Sequence, residues 1–386
     1  MVHDRPPRSR VAIVQRAIRR YRQGFFDRLR DEVAPDGIEL QLFHSNLPPD
    51  LDPRPDALEV PWSIHLARRT IRVGSRSLLW QPYHPALRTA DLVIVEQAAD
   101  LPLNYRLLAA QRRGGARVAM WGHGRNFGGD SSRLGEAIKR RTSTAAHWWF
   151  AYTDRSATVI TELGYPPERV TVVHNAIDTT ALAADVAWAH GGPAQALRAE
   201  LGLGDGAVGI FLGTLRASKR LDLLLVAADR IQEARPDFHL LVVGGGELLP
   251  TLQAAATTRP WLHVLGPRFG RERARALAAS DVVLIPGAVG LAVLDGLVAR
   301  TPLITSADGA HGPEIAYLED GRNGRLVANG SDPSRYAEAV LAVLADDALR
   351  ARLVAGCRED ATRYGIEAMA QRFADGVRHA LHAPAR

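Results

Sequence analysis

Short, continuous apolar runs recur along the chain, each followed by a stretch whose apolar positions have helical spacing. Residues 11–14 (VAIV) read as a buried strand, and Tyr21, Phe25, Phe26 and Leu29 then mark one face of a helix. Residues 39–43 predict the next strand. The proline-rich residues 47–55 predict a loop or an irregular crossing, since proline neither donates to a ladder nor continues a helix. Strands are expected again at residues 91–96 (DLVIVE), 117–121 (RVAMW), 157–160 and 170–173.

An Ala/Gly-rich stretch near residues 181–196 reads as low complexity, and after it the pattern restarts. Strands predicted at 207–212, 238–243, 263–265, 281–285, 302–305 and 325–327 alternate with helices at 220–235, 248–257, 271–279 and 291–300. From Asp332 onward the spacing is helical throughout. Strands buried on both faces read as unbroken apolar runs, as in parallel sheets covered by helices. Two such series predict an α/β chain of two doubly wound, Rossmann-like domains facing across a cleft. The boundaries fall at residues 1–180 and 181–368, with a C-terminal helix, residues 369–386, crossing back to the N-terminal domain. In open sheets of this kind ligands sit beyond the carboxyl ends of the strands, so function is sought in the loops that follow them.

Composition narrows the class. A chain of 386 residues, 46% hydrophobic and 23% charged, has material for two cores and is not disordered as a whole. No apolar run approaches the roughly 20 residues of a membrane helix, and the N-terminus lacks a secretory pattern. One cysteine, Cys357, excludes an internal disulfide framework and a cysteine-based metal site. A cytoplasmic location is expected. The net charge of +6 is concentrated: residues 1–35 carry nine arginines against four carboxylates. That end suits anionic lipid, a phosphorylated substrate or nucleic acid, or is simply a solvated face.

Three post-strand loops carry candidate chemistry. The first reads Gly213-Thr214-Leu215-Arg216-Ala217-Ser218-Lys219-Arg220. Its glycine admits close backbone approach, and Arg216 and Lys219 bring charge suited to a diphosphate; two surface cations on a loop is the plainer alternative. Only Lys139 and Lys219 are lysine in this arginine-rich chain, which favours a required ammonium at 219. The second loop, Pro286-Gly287-Ala288-Val289-Gly290-Leu291, opens a helix whose free N–H groups favour an anion. Asp295, one turn on, suits ribose hydroxyls or is a solvated helix residue. The third is Gly122-His123-Gly124, which exposes a histidine at a strand end. Gly244-Gly245-Gly246 lacks dinucleotide-loop spacing and reads as a tight turn. No Asp-x-Asp follows a strand, so no metal-held nucleotide is indicated.

The ordered series of segments resembles the retaining GT-B glycosyltransferases of the glycosyl transferases group 1 (family 4) class. It comprises VVHNAID (172–178), FLGTLRASKRLD (211–222), LVVGGGE (241–247), PGAVGLAVLD (286–295), TPLITS (301–306) and HGPEIAYLEDGRNG (311–324). YRQGFFDRL (21–29) and WGHG (121–124) add the N-terminal half. The resemblance implies an N-terminal acceptor-binding domain and a C-terminal nucleotide-sugar-binding domain. It implies that Lys219, helped by Arg216, neutralises the donor diphosphate, with Gly213 and Thr214 in the same loop. Gly290 and Leu291 would offer it N–H groups, Asp295 would hold the ribose, and His123 would face the transferred sugar. No metal or other cofactor is implied.

Two departures stand out. Gly287 occupies the place of the first Glu of the family's E-x7-E motif, and Thr214 replaces a frequent arginine. The resemblance implies transfer of a sugar to a glycan or lipid-linked acceptor, in cell-surface polysaccharide synthesis. Arg16, Arg19, Arg20 and Arg22 would face the acceptor or an anionic membrane. The pair Trp148-Trp149, downstream of Lys139-Arg140-Arg141, offers a second interfacial patch or ordinary packing. The rival readings are a GT-B epimerase or inverting transferase, a non-catalytic nucleotide-sugar-binding protein, and, on basicity alone, a nucleic-acid binder.

Overall fold

The computed structural model describes residues 9–45, 60–73, 76–124 and 141–385. The proline-rich residues 47–55, and Lys139 with Arg140, lie outside them. The chain divides into two compact units, Met1–Asn175 with Ile366–Arg386, and Ala176–Gly365.

The first unit contains β1 (Ser9–Gln15), α1 (Gln23–Val33), β2 (Ile38–His44), β3 (Ile64–His65), β4 (Arg69–Val73), β5 (Arg76–Trp80), α2 (Ala86–Thr89), β6 (Leu92–Glu96), α3 (Pro102–Gln111), β7 (Arg117–Gly122), β8 (Trp148–Ala151), α4 (Asp154–Glu162) and β9 (Val170–Val172). Its parallel sheet has the order β3-β2-β1-β6-β7-β8-β9, with Val11 paired to Leu40 on one side and Leu92 on the other. Strands β4 and β5 form a separate antiparallel hairpin that the apolar pattern does not announce.

The second unit contains α5 (Thr179–His190), α6 (Pro193–Glu200), β10 (Val208–Leu212), α7 (Leu221–Ala234), β11 (His239–Val243), α8 (Leu249–Ala256), β12 (Leu262–Gly266), α9 (Gly270–Ala278), β13 (Val282–Leu284), α10 (Ala292–Ala299), β14 (Leu303–Ser306), β15 (Gly324–Val327), α11 (Pro333–Ala345) and α12 (Asp347–Arg363). Its parallel sheet runs β12-β11-β10-β13-β14-β15. Every residue of β10 and β13 is buried, as continuous apolar runs require. The last helix, α13 (Ile366–His382), belongs to the first unit. There its Phe373 ring stacks on Phe150 at 4.2 Å and meets Phe25 at 5.3 Å.

Two sequence expectations are corrected. Residues 157–160 are helical, within α4, because Thr153 caps that helix by accepting from the Ser156 N–H at 3.2 Å. Only Ser156 and Ile160, one turn apart, are buried; the strand is Trp148–Ala151, buried throughout. The Ala/Gly-rich stretch near 181–196 is two helices. Asp178 caps α5 through the Ala181 N–H at 3.0 Å, Gly191 and Gly192 break the run, and Pro193 opens α6. Alanine there is helix propensity, not low complexity.

Candidate active site

In the second unit the chain leaves β10 toward one edge of the sheet and β13 toward the other. The loops after these adjacent strands therefore stand at the switch point of the sheet, the place where such sheets bind ligands. Gly213, Thr214, Arg216 and Lys219 lie on one loop; Gly290, Leu291 and Asp295 lie on the other loop and the helix it opens.

The first loop is braced from behind. Gly213 has φ +142°, a region glycine enters freely. The carbonyl of Gly213 lies so close to Gly244 that a side chain there would overlap it. The Leu215 N–H donates to Gly245 O at 2.9 Å, and Leu248 N–H to Leu215 O at 3.1 Å. The Gly244-Gly245-Gly246 segment, read from its spacing as a tight turn, thus also braces the first loop.

Thr214 and Arg216 are exposed, whereas Lys219 closes a 3-10 turn and is 8% exposed. Its ammonium donates to the Ala288 carbonyl, which leaves two of its three N–H groups for other acceptors. Burial, reinforced by the Arg216 cation and opposed by Glu314, pulls Lys219 down to about 8. Arg216, Lys219 and Glu314 are therefore electrostatic neighbours, although Glu314 comes from a distant 3-10 turn, Pro313–Tyr317.

The second loop lies directly on the first. Gly287 N–H donates to Lys219 O at 3.2 Å, and Ala288 N–H to Ser218 O at 2.8 Å. A side chain at 287 would stand 2.7 Å from Lys219 O and closer still to Ser218 O. Its glycine is a packing requirement, so the missing carboxylate of E-x7-E is not a simple deletion. His311 holds the next residue: its Nδ1 accepts from Val289 N–H at 3.1 Å while its Nε2–H donates to Ser306 O at 2.7 Å. Gly312 N–H returns to Val289 O at 2.7 Å. The N–H groups of Gly290 and Leu291 find no acceptor among the described residues, and α10 begins immediately after them.

Asp295 is not a solvated carboxylate. It is 6% exposed, and its Oδ1 lies 3.2 Å from Arg273 Nη1. Burial pushes its pKa up, making it a weaker acid, and Arg273 partly opposes this. Arg273, on α9, was invisible to sequence spacing because its partner is 22 residues away on another helix. His311 and Glu314 stood in a recognised segment without a role. Within the same segment Asn323 is a fold residue: its amide donates to Tyr317 O and to Asp360 Oδ2, each at 2.7 Å.

In the first unit His123 follows β7, and its ring meets Tyr152 edge-on at 4.3 Å. Burial, then the Arg22 cation, push its pKa down to about 4, so the imidazole is neutral at physiological pH. Gln97 sets the loop: its side-chain oxygen accepts from Gly124 N–H at 2.8 Å. The four arginines do not share one exposed face. Arg16 is clamped to Glu96 at 2.8 Å and Asp100 at 3.2 Å, Arg19 and Arg22 are buried, and Arg20 is exposed. Helix α1 buries Phe25, Phe26, Leu29 and Val33, so its apolar face is occupied by core. Trp148 and Trp149 are likewise core, their indoles donating to Thr171 and to Ser143 O, each at 2.9 Å. No described helix is long and apolar enough to cross a membrane.

Two parallel, doubly wound units define the class as a two-domain Rossmann-like protein of the GT-B type. Solved structures share the fold: HepE of Anabaena in complex with UDP (15% identity, TM-score 0.65, 96% of this chain and 99% of that one) and the sucrose-phosphate synthase of Thermosynechococcus elongatus (16%, 0.68, 96% and 99%). Residues 206–346 match the family model for glycosyl transferases group 1, and residues 25–181 that for glycosyltransferase family 4. The chain belongs to the group 1 GT-B glycosyltransferases.

Among curated relatives it is similar to the D-inositol 3-phosphate glycosyltransferase of Stackebrandtia nassauensis (31% identity; 55% of this chain, 49% of the relative). It is also similar to the phosphatidyl-myo-inositol mannosyltransferase of Mycobacterium leprae (30%; 42% and 44%). The chain matches about half the length of these relatives.

Proposed function

We propose that the protein transfers a sugar from a nucleotide-sugar donor to a hydroxyl of a glycan or lipid-linked acceptor, with retention at the anomeric carbon and without a metal ion. The observation that carries this reading is the switch point of the second unit, where the buried Lys219 ammonium and exposed Arg216 share one loop and the Gly290 and Leu291 N–H groups, without an acceptor among the described residues, stand on the other. Family membership and the UDP named for the Anabaena structure support it.

In the reaction the anomeric C–O bond to the diphosphate breaks as the acceptor oxygen bonds to the same carbon from the same face. The electron pair goes to the diphosphate, and one of its oxygens takes the acceptor proton. Negative charge grows on the leaving group, so fixed cations and backbone dipoles aimed there supply the main catalytic stabilisation. His123, neutral at physiological pH, would meet the transferred sugar as a hydrogen-bonding group without adding charge. We place the protein in cell-surface polysaccharide synthesis, acting from the cytoplasm.

The test is a thermal-shift and turnover screen of nucleotide-sugars in EDTA, with NMR of the product's anomeric proton. One donor class stabilising the protein and yielding retained product is the expected outcome. Binding and turnover only with added magnesium, or no binding at all, would overturn the proposal.

A further inference from the structure

Arg22 is a buried cation with no ion pair to a carboxylate among the described residues. It is 5% exposed. Its Nη2 donates to the Tyr152 hydroxyl at 3.3 Å, its guanidinium lies 4.2 Å over the Trp121 ring, and its Nη1 is buried without a hydrogen-bond partner. The carboxylate of Glu96, whose field reaches Arg22, is already bound to Arg16 at 2.8 Å. Burial works against the Arg22 cation. The groups that offset burial, and leave Arg22 above the ordinary arginine range, are chiefly the phenols of Tyr21 and Tyr152, uncharged at neutral pH.

A buried charge in that state costs several kcal/mol until a counter-charge reaches it. Stacking on an indole recovers only about 2 kcal/mol. The neighbours are suited to a ligand: His123 is neutral, and Tyr152 offers a hydroxyl.

We infer that Arg22, with Tyr152 and His123 beside it, seats an anionic group of the substrate, a phosphate or a carboxylate. The inference rests on the transferase reading and deepens it. The anion belongs either to the acceptor or to the donor diphosphate, and the two sources give different outcomes below.

The experiment compares thermal denaturation of the full chain in phosphate and in chloride at matched ionic strength, for the parent, Arg22→Met and Lys219→Ala. Phosphate is expected to stabilise the parent and Lys219→Ala, with about tenfold or more loss of phosphate affinity in Arg22→Met. In chloride Arg22→Met should melt at or above the parent, because an unpaired buried charge has been removed; this also shows that the variant folds. No phosphate-specific shift in the parent, or an undiminished shift in Arg22→Met, overturns the inference. Glucose 6-phosphate and UDP are then titrated in turn. A loss in Arg22→Met confined to glucose 6-phosphate assigns the anion to the acceptor, and one confined to UDP assigns it to the donor. Should no nucleotide-sugar bind while the Arg22-dependent phosphate response persists, the transferase reading fails and the anion seat stands.

Discussion

At the scale of single residues, the proposed transfer makes Lys219 the group that ties activity to pH. Its ammonium is pulled down to about 8, so it is charged below that pH and neutral above it. A diphosphate needs the charged form. We therefore expect kcat/KM for the donor to be level below about pH 8 and to fall above it. Lys219→Arg should move that fall to higher pH, since a guanidinium does not deprotonate there. Lys219→Ala should lower turnover about a hundredfold, the usual cost of one charge-stabilising group, with the fold intact by circular dichroism.

His123 has the opposite kind of consequence. Its folded value of about 4 lies below the unfolded 6.5, so between these pH values the unfolded chain binds the extra proton. Stability should decline as pH drops from 6.5 toward 4, and urea titrations should show His123→Phe losing less over that window.

At the scale of elements, the two switch-point loops form one packed unit. Gly287 and Ala288 donate to the backbone carbonyls of Lys219 and Ser218, while His311 and Gly312 grip Val289 from the other side. This arrangement aims the Gly290 and Leu291 N–H groups, so the loop's geometry is worth more than any side chain on it. Gly287→Glu restores the family's first carboxylate on paper. We expect it instead to push the Lys219 turn away and abolish donor binding, measured by calorimetry against the parent. Donor affinity equal to or better than the parent's would show that the position accommodates a side chain.

At the scale of the molecule, the chain passes from one unit to the other after Asn175 and returns after Gly365. The quoted segment VVHNAID spans the first passage. His174 adopts a left-handed backbone with φ 52°, its Nε2 lies 2.9 Å from Asp154 Oδ2, and Asp178 caps α5. The return delivers α13 to the first unit, where Phe373 packs against Phe25, Trp121 and Phe150. Gly376 lets the helix approach so closely that a side chain there would stand 2.6 Å from Phe150. Phe373→Ala should destabilise the first unit by about 3–5 kcal/mol, read from its own denaturant transition, and leave the second unit's transition in place.

The sequence by itself determined most parallel strands of both sheets and the loops that follow them, although the strand expected at residues 157–160 lies instead at the apolar run of β8, Trp148–Ala151. These signals are local: burial on both faces forces continuous hydrophobicity, and a post-strand glycine beside a cation is readable in a few residues. Tertiary structure alone decided which groups share a field. Arg273 reaches Asp295 from another helix, Glu314 reaches Lys219 from nearly a hundred residues on, and Arg22 meets Tyr152 and Trp121 across three elements. The helix caps at Thr153 and Asp178 are, by contrast, local signals three residues long that the sequence does carry. Pairing and burial depend on distance in space, and along the chain that distance leaves no trace.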